Sequence, residues 1–320
     1  MKRVIFDTDI GIDDAMALLF LHYAPQVALE AITTVCGNAS IEDTTRNALY
    51  VAERFGIPAP VFRGAATPLG SALGEGYADF VHGKNGLGDI PLTPPRRREE
   101  TLGAARAIIA LAEANPGEIS LVAVGRLTNL AHALEMAPEL PKLLKEVVLM
   151  GGVFMRNNHQ GNVSPVAEAN IAGDPQAADR VFGSGLQLTV VGLDVTEETI
   201  MDEVFINSLR ERAGEAGDFI HAISRFYFDF YEGINGQRQC PIHDSSAVAY
   251  LLQPSLYETA LGPVRVVSEG IAMGQTILGE APERYASDAW QNRPASRVCV
   301  AVNADAMRQL YLDTLARAGS

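Results

Sequence analysis

The chain has 320 residues, of which 48% are hydrophobic and 20% are charged, and its formal net charge at pH 7 is −14. This composition is typical of a folded globular protein and argues against a disordered or fibrous one. The negative charge opposes binding to a nucleic-acid backbone, which requires clustered lysine and arginine. The densest basic run, Arg96 to Arg98, is followed directly by Glu99 and Glu100, so we expect a solvent-exposed loop there.

The cysteines and the start of the chain bear on its location. Cys36, Cys240 and Cys299 are too few and too widely spaced for a disulfide framework or a CxxC metal site. We therefore expect free thiols in a reducing compartment, the cytoplasm. The first residues, MKRVIF, are basic and then apolar, but Asp7 and Asp9 interrupt the apolar run before it could act as a signal sequence. No apolar run reaches the roughly 18 residues of a transmembrane helix, so we expect no membrane partner.

Short β-branched runs alternate with longer helical patterns along the chain. VIF precedes DDAMALLFLHY, ALEAITTV precedes IEDTTRNALYVAERF, and SLVAVG precedes LTNLAHALEMA. The alternation continues through EVVLMGG, DPQAADRVFGSG, LQLTVVGLDV, RVCVAV and DAMRQLYLDTLAR. Such alternation is typical of βαβ units. It predicts an α/β fold with an open, mostly parallel, Rossmann-like sheet flanked by helices, and an active site at the carboxyl ends of the strands.

Two segments, residues 63–100 and 152–170, interrupt this alternation. Long loops within a compact domain are often functional. No linker of consistent Ser/Gly or Pro composition divides the chain, and no internal repeat is visible. We therefore expect a single domain over residues 1–320. Asp174 followed by Pro175 predicts a helix that begins with a capping aspartate and a first-turn proline.

Four aspartates, Asp7, Asp9, Asp13 and Asp14, lie within VIFDTDIGIDDAMALL at the end of the first predicted strand. Alternate strand residues share a face, so Asp7 and Asp9 should point to one side. Gly11 permits a tight turn, and Asp13 and Asp14 then fall in the first helical turn. Adjacent helical residues point about 100° apart, so these two carboxylates should have different roles.

A helix start explains one of these aspartates, because the helix dipole favours carboxylates there. Four carboxylates that converge on one strand end are costly without a cation, so the cluster predicts a divalent metal site. Because all of the candidate ligands are oxygens, we expect Ca²⁺ or Mg²⁺ rather than zinc.

Two further segments carry polar side chains suited to a site. In PIHDSSAVAYLL, His243 and Asp244 stand at the head of an apolar helix. A lone histidine is more often structural, but beside a metal site Asp244 can be a ligand while His243 points into the same cleft. In SPVAEANIAGDP, Glu168 and Asn170 share a face if the segment is extended, and they offer hydrogen-bonding groups to a polyhydroxylated ligand. Glu168 is explained equally well as a surface residue.

Taken together, these segments resemble the nucleoside hydrolases of the inosine–uridine-preferring family, which hydrolyse the N-glycosidic bond of ribonucleosides. The matching segments, in the family's order, are DTDIGIDDAMALL, TTVCGN, VHGKNGLG, LVAVGRLTNLA, VVLMGG, AEANIAGDP, GLDVT and PIHDSSA. The resemblance implies a ribonucleoside substrate, a Ca²⁺ cofactor and a homodimer or homotetramer. The preferred nucleobase stays open, because Asn85 and Ala169 depart from the family's usual residues.

The resemblance also implies roles for individual residues. Asp9, Asp14, Asp244 and the backbone carbonyl of Val124 would hold Ca²⁺, which would also bind the ribose 2′- and 3′-hydroxyls and a water beside C1′. Asp9 would be the general base for that water and His243 the general acid at the leaving base, with an oxocarbenium-like transition state. The implied substrate-binding residues are Asp13, Asn38, His82, Asn162, Glu168, Asn170, Tyr227 and Tyr231.

Several alternatives stay open at this point. A strand followed by DxD also opens haloacid-dehalogenase-type phosphatases, but these need a downstream lysine and none follows Lys145. A non-catalytic, Ca²⁺-stabilised nucleoside-binding protein is a second alternative, against which the presence of Asp9 and His243 argues. Tyr227 and Tyr231 are four apart on a predicted helix, a spacing that core packing explains as readily as contact with a base. For Asp7 we expect a supporting role in the loop.

Overall fold

The computed structural model describes residues 1–69 and 76–319, and strands and helices alternate through most of them. The strands, in chain order, are β1 (Lys2–Thr8), β2 (Val27–Thr34), β3 (Val61–Arg63), β4 (Ile119–Ala123), β5 (Glu146–Met150), β6 (Leu188–Val191), β7 (Ile200–Asp202), β8 (Gln239–Pro241), β9 (Tyr257–Val266), β10 (Thr276–Leu278) and β11 (Ala295–Val302). The helices are α1 (Ile12–Tyr23), α2 (Ile41–Arg54), α3 (Asp79–His82), α4 (Ala104–Ala114), α5 (Thr128–Met136), α6 (Leu140–Leu143), α7 (Ala169–Gly173), α8 (Pro175–Phe182), α9 (Leu193–Thr196), α10 (Glu203–Arg212), α11 (Gly214–Asn235), α12 (Asp244–Leu252) and α13 (Ala304–Leu315).

Nine of these strands form one sheet in the order β10-β9-β11-β6-β5-β4-β1-β2-β3. The strands from β11 to β3 pair in parallel, whereas β9 runs antiparallel to β11 and β10 runs antiparallel to β9. The remaining two strands, β7 and β8, form a separate antiparallel pair. The predicted mostly parallel α/β sheet is therefore confirmed. Among the described helices, none combines the length and the apolar character needed to cross a bilayer.

The first strand lies near the middle of the sheet, where it pairs with β4 on one side and β2 on the other. Its residues Val4, Ile5 and Phe6 are completely buried, as expected for a parallel strand covered on both faces. Because the strand order reverses on either side of β1, its carboxyl end opens into the crevice where α/β proteins bind ligands. The aspartate-rich segment begins at that end.

Helix α1 is buried around nearly its whole circumference, from Ile12 to Leu21. It packs between the sheet and helices α11, α12 and α13, and Phe20 meets Tyr311 edge to face at 4.9 Å. A helix that is apolar on all sides needs such surroundings. The tight packing fixes the two aspartates of its first turn.

The described helices and strands confirm most of the predicted elements, including the start of α8, where the Asp174 side chain accepts a hydrogen bond from the Ala177 N–H at 3.0 Å. Two local predictions are wrong. The run LQLTVVGLDV is not one strand, because β6 ends at Val191 and α9 begins at Leu193. Glu168 and Asn170 do not share an extended segment, because Glu168 is the N-cap of α7 and Asn170 lies in its first turn.

Asp7 ties the central strand to its neighbours. Its Oδ1 atom accepts hydrogen bonds from Thr33 Oγ1 on β2 at 2.5 Å and from Asn129 Nδ2 on α5 at 2.8 Å. Its Oδ2 atom is buried and has no hydrogen-bond partner among the described residues. Burial raises the pKa of Asp7 to about 6, although these two hydrogen bonds oppose the shift.

We predict that the Asp7→Asn substitution stabilises the protein at high pH relative to the wild type. A carboxyl group whose folded pKa is raised from 3.8 to about 6 favours folding below pH 4 and loses that contribution as the pH rises through 6. The variant has no carboxyl group to ionise at this position. Its unfolding free energy, relative to that of the wild type, should therefore rise by roughly 1–3 kcal/mol between pH 4 and pH 8.

Urea titrations in the presence of a chelator, at several pH values in that range, measure this difference. Asp218→Asn is the matched control, because Asp218 is exposed and paired with Arg210 on the surface. If the difference in unfolding free energy between Asp7→Asn and the wild type does not change with pH, ionisation of Asp7 does not destabilise the folded protein.

Candidate active site

The carboxyl ends of neighbouring parallel strands converge on one cavity of about 460 Å³. Asn38 follows β2, Val124 follows β4 and Met150 ends β5, and all three line the cavity. The helices contribute the remaining walls. The sequence-predicted residues in its lining are Asp13, Asn38, His82, Val124, Asn162, Glu168, Asn170, Tyr227, Tyr231, His243 and Asp244.

Two other predicted residues lie beside this lining. Asp9 borders an adjoining cavity of about 520 Å³, which shares Asn38 and Asn170 with the first. Asp14 is fully buried and hydrogen-bonded to Asn38, which lines both cavities. The structure therefore brings every predicted site residue to the same end of the sheet, although they come from distant parts of the chain.

Three carboxylates form a compact group, since one oxygen each of Asp13, Asp14 and Asp244 lies within 4.8 Å of the others. Asp9 is joined to this group through Asp14, because the Asp9 N–H donates to Asp14 Oδ1 at 3.2 Å. Its own Oδ2 accepts the Asn38 N–H at 2.8 Å. The group that the geometry brings closest together thus contains Asp13 in addition to the predicted ligands Asp14 and Asp244.

Asp14 is the best satisfied of these acids. Its Oδ1 accepts from Thr8 Oγ1 at 2.5 Å, and its Oδ2 accepts from the Gly11 N–H at 2.8 Å and from Asn38 Nδ2 at 2.9 Å. These donors come from β1, the turn after it and the loop after β2. They fix the position of Asp14 and offset part of its charge.

Two glycines leave room for Asp9. A Cβ atom on Gly37 would lie 1.8 Å from Asp9 Oδ2, and one on Gly125 would lie 2.7 Å from Asp9 Oδ1. Any larger residue at these positions would displace the carboxylate. The glycines of TTVCGN and LVAVGR therefore serve the close approach of two loops to Asp9.

Asp9, Asp13 and Asp244 each bury one carboxylate oxygen that has no hydrogen-bond partner among the described residues. Burial, and the charge of Asp14 next, raise the pKa of Asp9 well above its usual range. Burial and the nearby acids do the same for Asp244, and burial raises the pKa of Asp13 to about 6. Buried carboxylate oxygens without a partner fit a bound cation, and an all-oxygen donor set fits Ca²⁺ or Mg²⁺.

The backbone carbonyl of Val124 lies in the same lining. It accepts a hydrogen bond from Asn170 Nδ2 at 2.8 Å, and that amide also reaches the Met150 carbonyl at 3.2 Å. A carbonyl oxygen has two lone pairs, so Val124 retains one for a cation or a hydroxyl.

Glu168 caps α7 and is almost fully buried. Its carboxylate accepts the N–H groups of Gly152 at 2.8 Å, Asn170 at 2.8 Å and Ile171 at 3.1 Å. The Asn162 Oδ1 atom accepts the Ala169 N–H at 3.0 Å. Both side chains therefore hold the loop before α7 against the cavity, and Glu168 is not the surface residue that one reading of the sequence allowed.

One wall of the cavity is aromatic, and Tyr227 and Tyr231 of α11 line it. The Tyr231 hydroxyl lies 2.9 Å from His243 Nε2, and the Tyr227 hydroxyl donates to Asp13 Oδ2 at 3.3 Å. His82 stacks on Tyr227 with ring centroids 5.8 Å apart. Burial lowers the pKa of both His82 and His243 to about 4, so both rings are neutral at pH 7.

Sequence analysis matched the segment GLDVT after β6 to the family but assigned no role to Thr196 or to Glu197. Thr196 Oγ1 lies 2.8 Å from His243 Nδ1, and Glu197 lines the cavity beside it. In the same segment Asp194 accepts the N–H groups of Phe154 and Arg156. The available signal was position alone, because these residues follow a central parallel strand at its carboxyl end.

Comparisons with known proteins agree with this fold. A family model described as inosine-uridine preferring nucleoside hydrolase matches residues 4–309. Uridine nucleosidase 1 of Arabidopsis thaliana is 39% identical over 291 residues, which are 90% of this chain and 85% of that protein. The solved structure of a plant nucleoside hydrolase superposes with a TM-score of 0.93 at 35% identity, covering 98% of this chain and 99% of the other. A purine-preferring ribonucleoside hydrolase from Gardnerella vaginalis gives a TM-score of 0.91 at 30% identity over 100% of both chains.

We predict that Ca²⁺ stabilises the chelator-treated protein, because it would satisfy the unpartnered oxygens of the acid group. At about 100 times Kd, the expected gain is about 2.7 kcal/mol in unfolding free energy. Thermal melts with and without Ca²⁺ measure it. The Asp244→Asn variant should lose most of the shift, while Asp305→Asn, an exposed change on α13, should keep it. A wild-type melting temperature that Ca²⁺ leaves unchanged would contradict a cation site here.

Proposed function

Because the chain belongs to the family of inosine-uridine preferring nucleoside hydrolases, we propose that its cavity binds a ribonucleoside with the ribose at the acidic end and the nucleobase at the aromatic end. One observation carries this orientation: a single cavity joins the carboxylate group of Asp13 and Asp244 to the aromatic side chains of α11. Carboxylates and amides suit ribose hydroxyls, and tyrosine rings suit a flat base. Family membership also sets aside the phosphatase and non-catalytic alternatives.

We propose that Ca²⁺ is held by Asp9, Asp14, Asp244 and the carbonyl of Val124, with Asp13 adjoining them. When bound, it would supply positive charge that offsets these carboxylates and orients the ribose 2′- and 3′-hydroxyls. The unpartnered oxygens of Asp9 and Asp244 support this assignment. Asn38, Asn162, Glu168 and Asn170 would complete the ribose-binding wall.

Asp9 is the proposed general base. It takes a proton from a water as the water oxygen forms a bond to C1′, while the bond from C1′ to the base nitrogen breaks and its electron pair leaves with the base. Burial raises the pKa of Asp9, which makes its ionised form a stronger base. The surrounding carboxylates stabilise the positive charge that develops on the sugar ring.

His243 is the proposed general acid at the departing base. In the free chain its ring is neutral at pH 7, because burial lowers its pKa to about 4. Negative charge that develops on the leaving base favours the protonated ring and raises that pKa during the reaction. The hydroxyls of Tyr231 and Thr196 hold the two ring nitrogens and fix the direction of the ring. Tyr227 and His82 would contact the base.

Three wider features complete the proposal. We propose that residues 1–320 act as one nucleoside hydrolase domain, since a single sheet takes strands from Lys2 through Val302. A cytoplasmic location agrees with three cysteines that are buried and unbridged. Assembly as a homodimer or homotetramer stays a prediction from the family resemblance.

We predict that the purified protein releases ribose and free base from at least one common ribonucleoside, and that Asp9→Asn lowers kcat by about 10²–10⁴-fold. The amide keeps the shape of the side chain but cannot accept the proton of the water. A reducing-sugar assay measures the loss. Asp305→Asn is the control and should retain wild-type kcat, and an Asp9→Asn variant of undiminished kcat would remove Asp9 from the base role.

We further predict that the loss of kcat in His243→Ala depends on the leaving group of the substrate. For inosine or uridine kcat should fall about 10²-fold or more, because the base departs poorly without a proton. For 4-nitrophenyl riboside, whose leaving group needs no proton, the fall should be less than about tenfold. The control is His221→Ala, on the outer part of α11. Equal losses for both substrate types would assign His243 to binding rather than to acid catalysis.

A further inference from the structure

Glu197 is the carboxylate at the aromatic end of the cavity. It lines the cavity together with Tyr231, Ile234 and His243, whereas Asp13 and Asp244 of the same lining belong to the carboxylate group and Glu168 caps α7. Thr196, the chain neighbour of Glu197, lies 2.8 Å from His243 Nδ1, and the Tyr231 hydroxyl lies 2.9 Å from His243 Nε2, so Glu197 follows directly on the residue that holds this histidine. A charged side chain among aromatic and aliphatic neighbours is costly in free energy unless it is paired with another polar group.

His159 holds Glu197 in this position. Its Nδ1 atom lies 2.6 Å from Glu197 Oε2, and its Nε2 atom lies 2.6 Å from Glu198 Oε1. Burial alone would lower the pKa of His159, but its contacts with Glu198 and Glu197 raise it, so the ring favours the protonated form that donates to both. The histidine comes from the loop between β5 and α7, which Asp194 also anchors.

The two glutamates differ in what they face. Glu198 is the more exposed and is absent from the cavity lining, whereas Glu197 is part of it. Glu197 Oε1 has no hydrogen bond to any other described residue. One oxygen of Glu197 is therefore fixed by His159, and the other is free to accept a hydrogen bond from a ligand in the cavity.

We propose that Glu197 is a specificity-determining residue that selects nucleobases carrying a ring N–H. An ionised carboxylate only accepts hydrogen bonds, so it favours an N–H and repels the lone pair of a bare ring nitrogen. Uracil and hypoxanthine carry such an N–H on the edge away from the glycosidic bond. The substrate class is then the oxo-bases rather than analogues with an unprotonated nitrogen at that edge. This inference rests on the proposed nucleoside hydrolase function and on the base lying at the aromatic end.

The test compares pairs of substrates that differ in this N–H and in the oxo group beside it. Inosine is compared with purine riboside, and uridine with pyrimidin-2-one riboside, through the ratio of their kcat/KM values. In Glu197→Gln each ratio should fall about tenfold or more relative to the wild type, since the uncharged amide accepts the ring N–H more weakly and can turn its own NH₂ toward the bare nitrogen. Differences in leaving-group ability are common to both enzymes and cancel between the two ratios.

Glu198→Gln is the matched control, because it removes the other carboxylate that holds His159 without altering the cavity lining. It should leave both ratios within about twofold of the wild type. Equal falls in Glu197→Gln and Glu198→Gln would show an effect through His159 alone and would overturn the proposal. Unchanged ratios in Glu197→Gln would overturn it as well.

A third substrate separates this proposal from the proposed function. For 4-nitrophenyl riboside, which has no ring N–H, Glu197→Gln should keep the wild-type kcat/KM. If the wild-type protein cleaves neither this riboside nor any nucleoside, the hydrolase function itself fails. If it cleaves all of them and Glu197→Gln loses activity on every substrate equally, Glu197 supports the fold of the site and selects nothing.

Discussion

Carboxylates that are buried together must acquire protons, hydrogen-bond donors or a cation, and the site at the end of β1 depends on how these are distributed. Asp7 and Asp14 receive donors from the protein, the first from β2 and α5 and the second from the turn before α1. Asp9 and Asp244 keep an unpartnered oxygen each. Asp14 is thus held by donors on both oxygens, whereas Asp7, Asp9, Asp13 and Asp244 each keep one buried oxygen without a partner among the described residues. The incomplete oxygens of Asp9, Asp13 and Asp244 lie in the acid-rich part of the site and fit a cation.

The fold brings these acids together at the carboxyl end of β1. Because β1 is a central parallel strand, the loops that follow β2 and β4 reach it from either side. Those loops bring Asn38 and Val124 to the acid group, and the packing of α1 and α12 brings Asp13 and Asp244 to it. The rigid sheet and helices hold the repelling charges in place, which loops alone would not do.

The sequence predicted the parts of the site that spacing encodes. Periodicity located β1 and α1, and the crowding of four aspartates between them indicated a metal site. Spacing could not assign Val124, because a backbone carbonyl ligand does not depend on the type of side chain. The extended conformation considered for Glu168 was wrong, because this residue accepts three N–H groups as a helix cap. GLDVT was matched to the family, but nothing in its spacing assigned a role to Thr196 or to the following Glu197. Contacts between distant segments decided each of these cases.

The distance along the chain between the parts of this site has a consequence for folding. Asp13 and Tyr227, which share a hydrogen bond, are 214 residues apart. The strand at the centre of the sheet is made first, yet its partner β4 and the helices that complete the cavity are made much later. Contacts of such long range slow folding. During synthesis the acid group is incomplete until Asp244 of α12 has been made, and until then the four aspartates of the emerging segment carry like charges that favour its solubility.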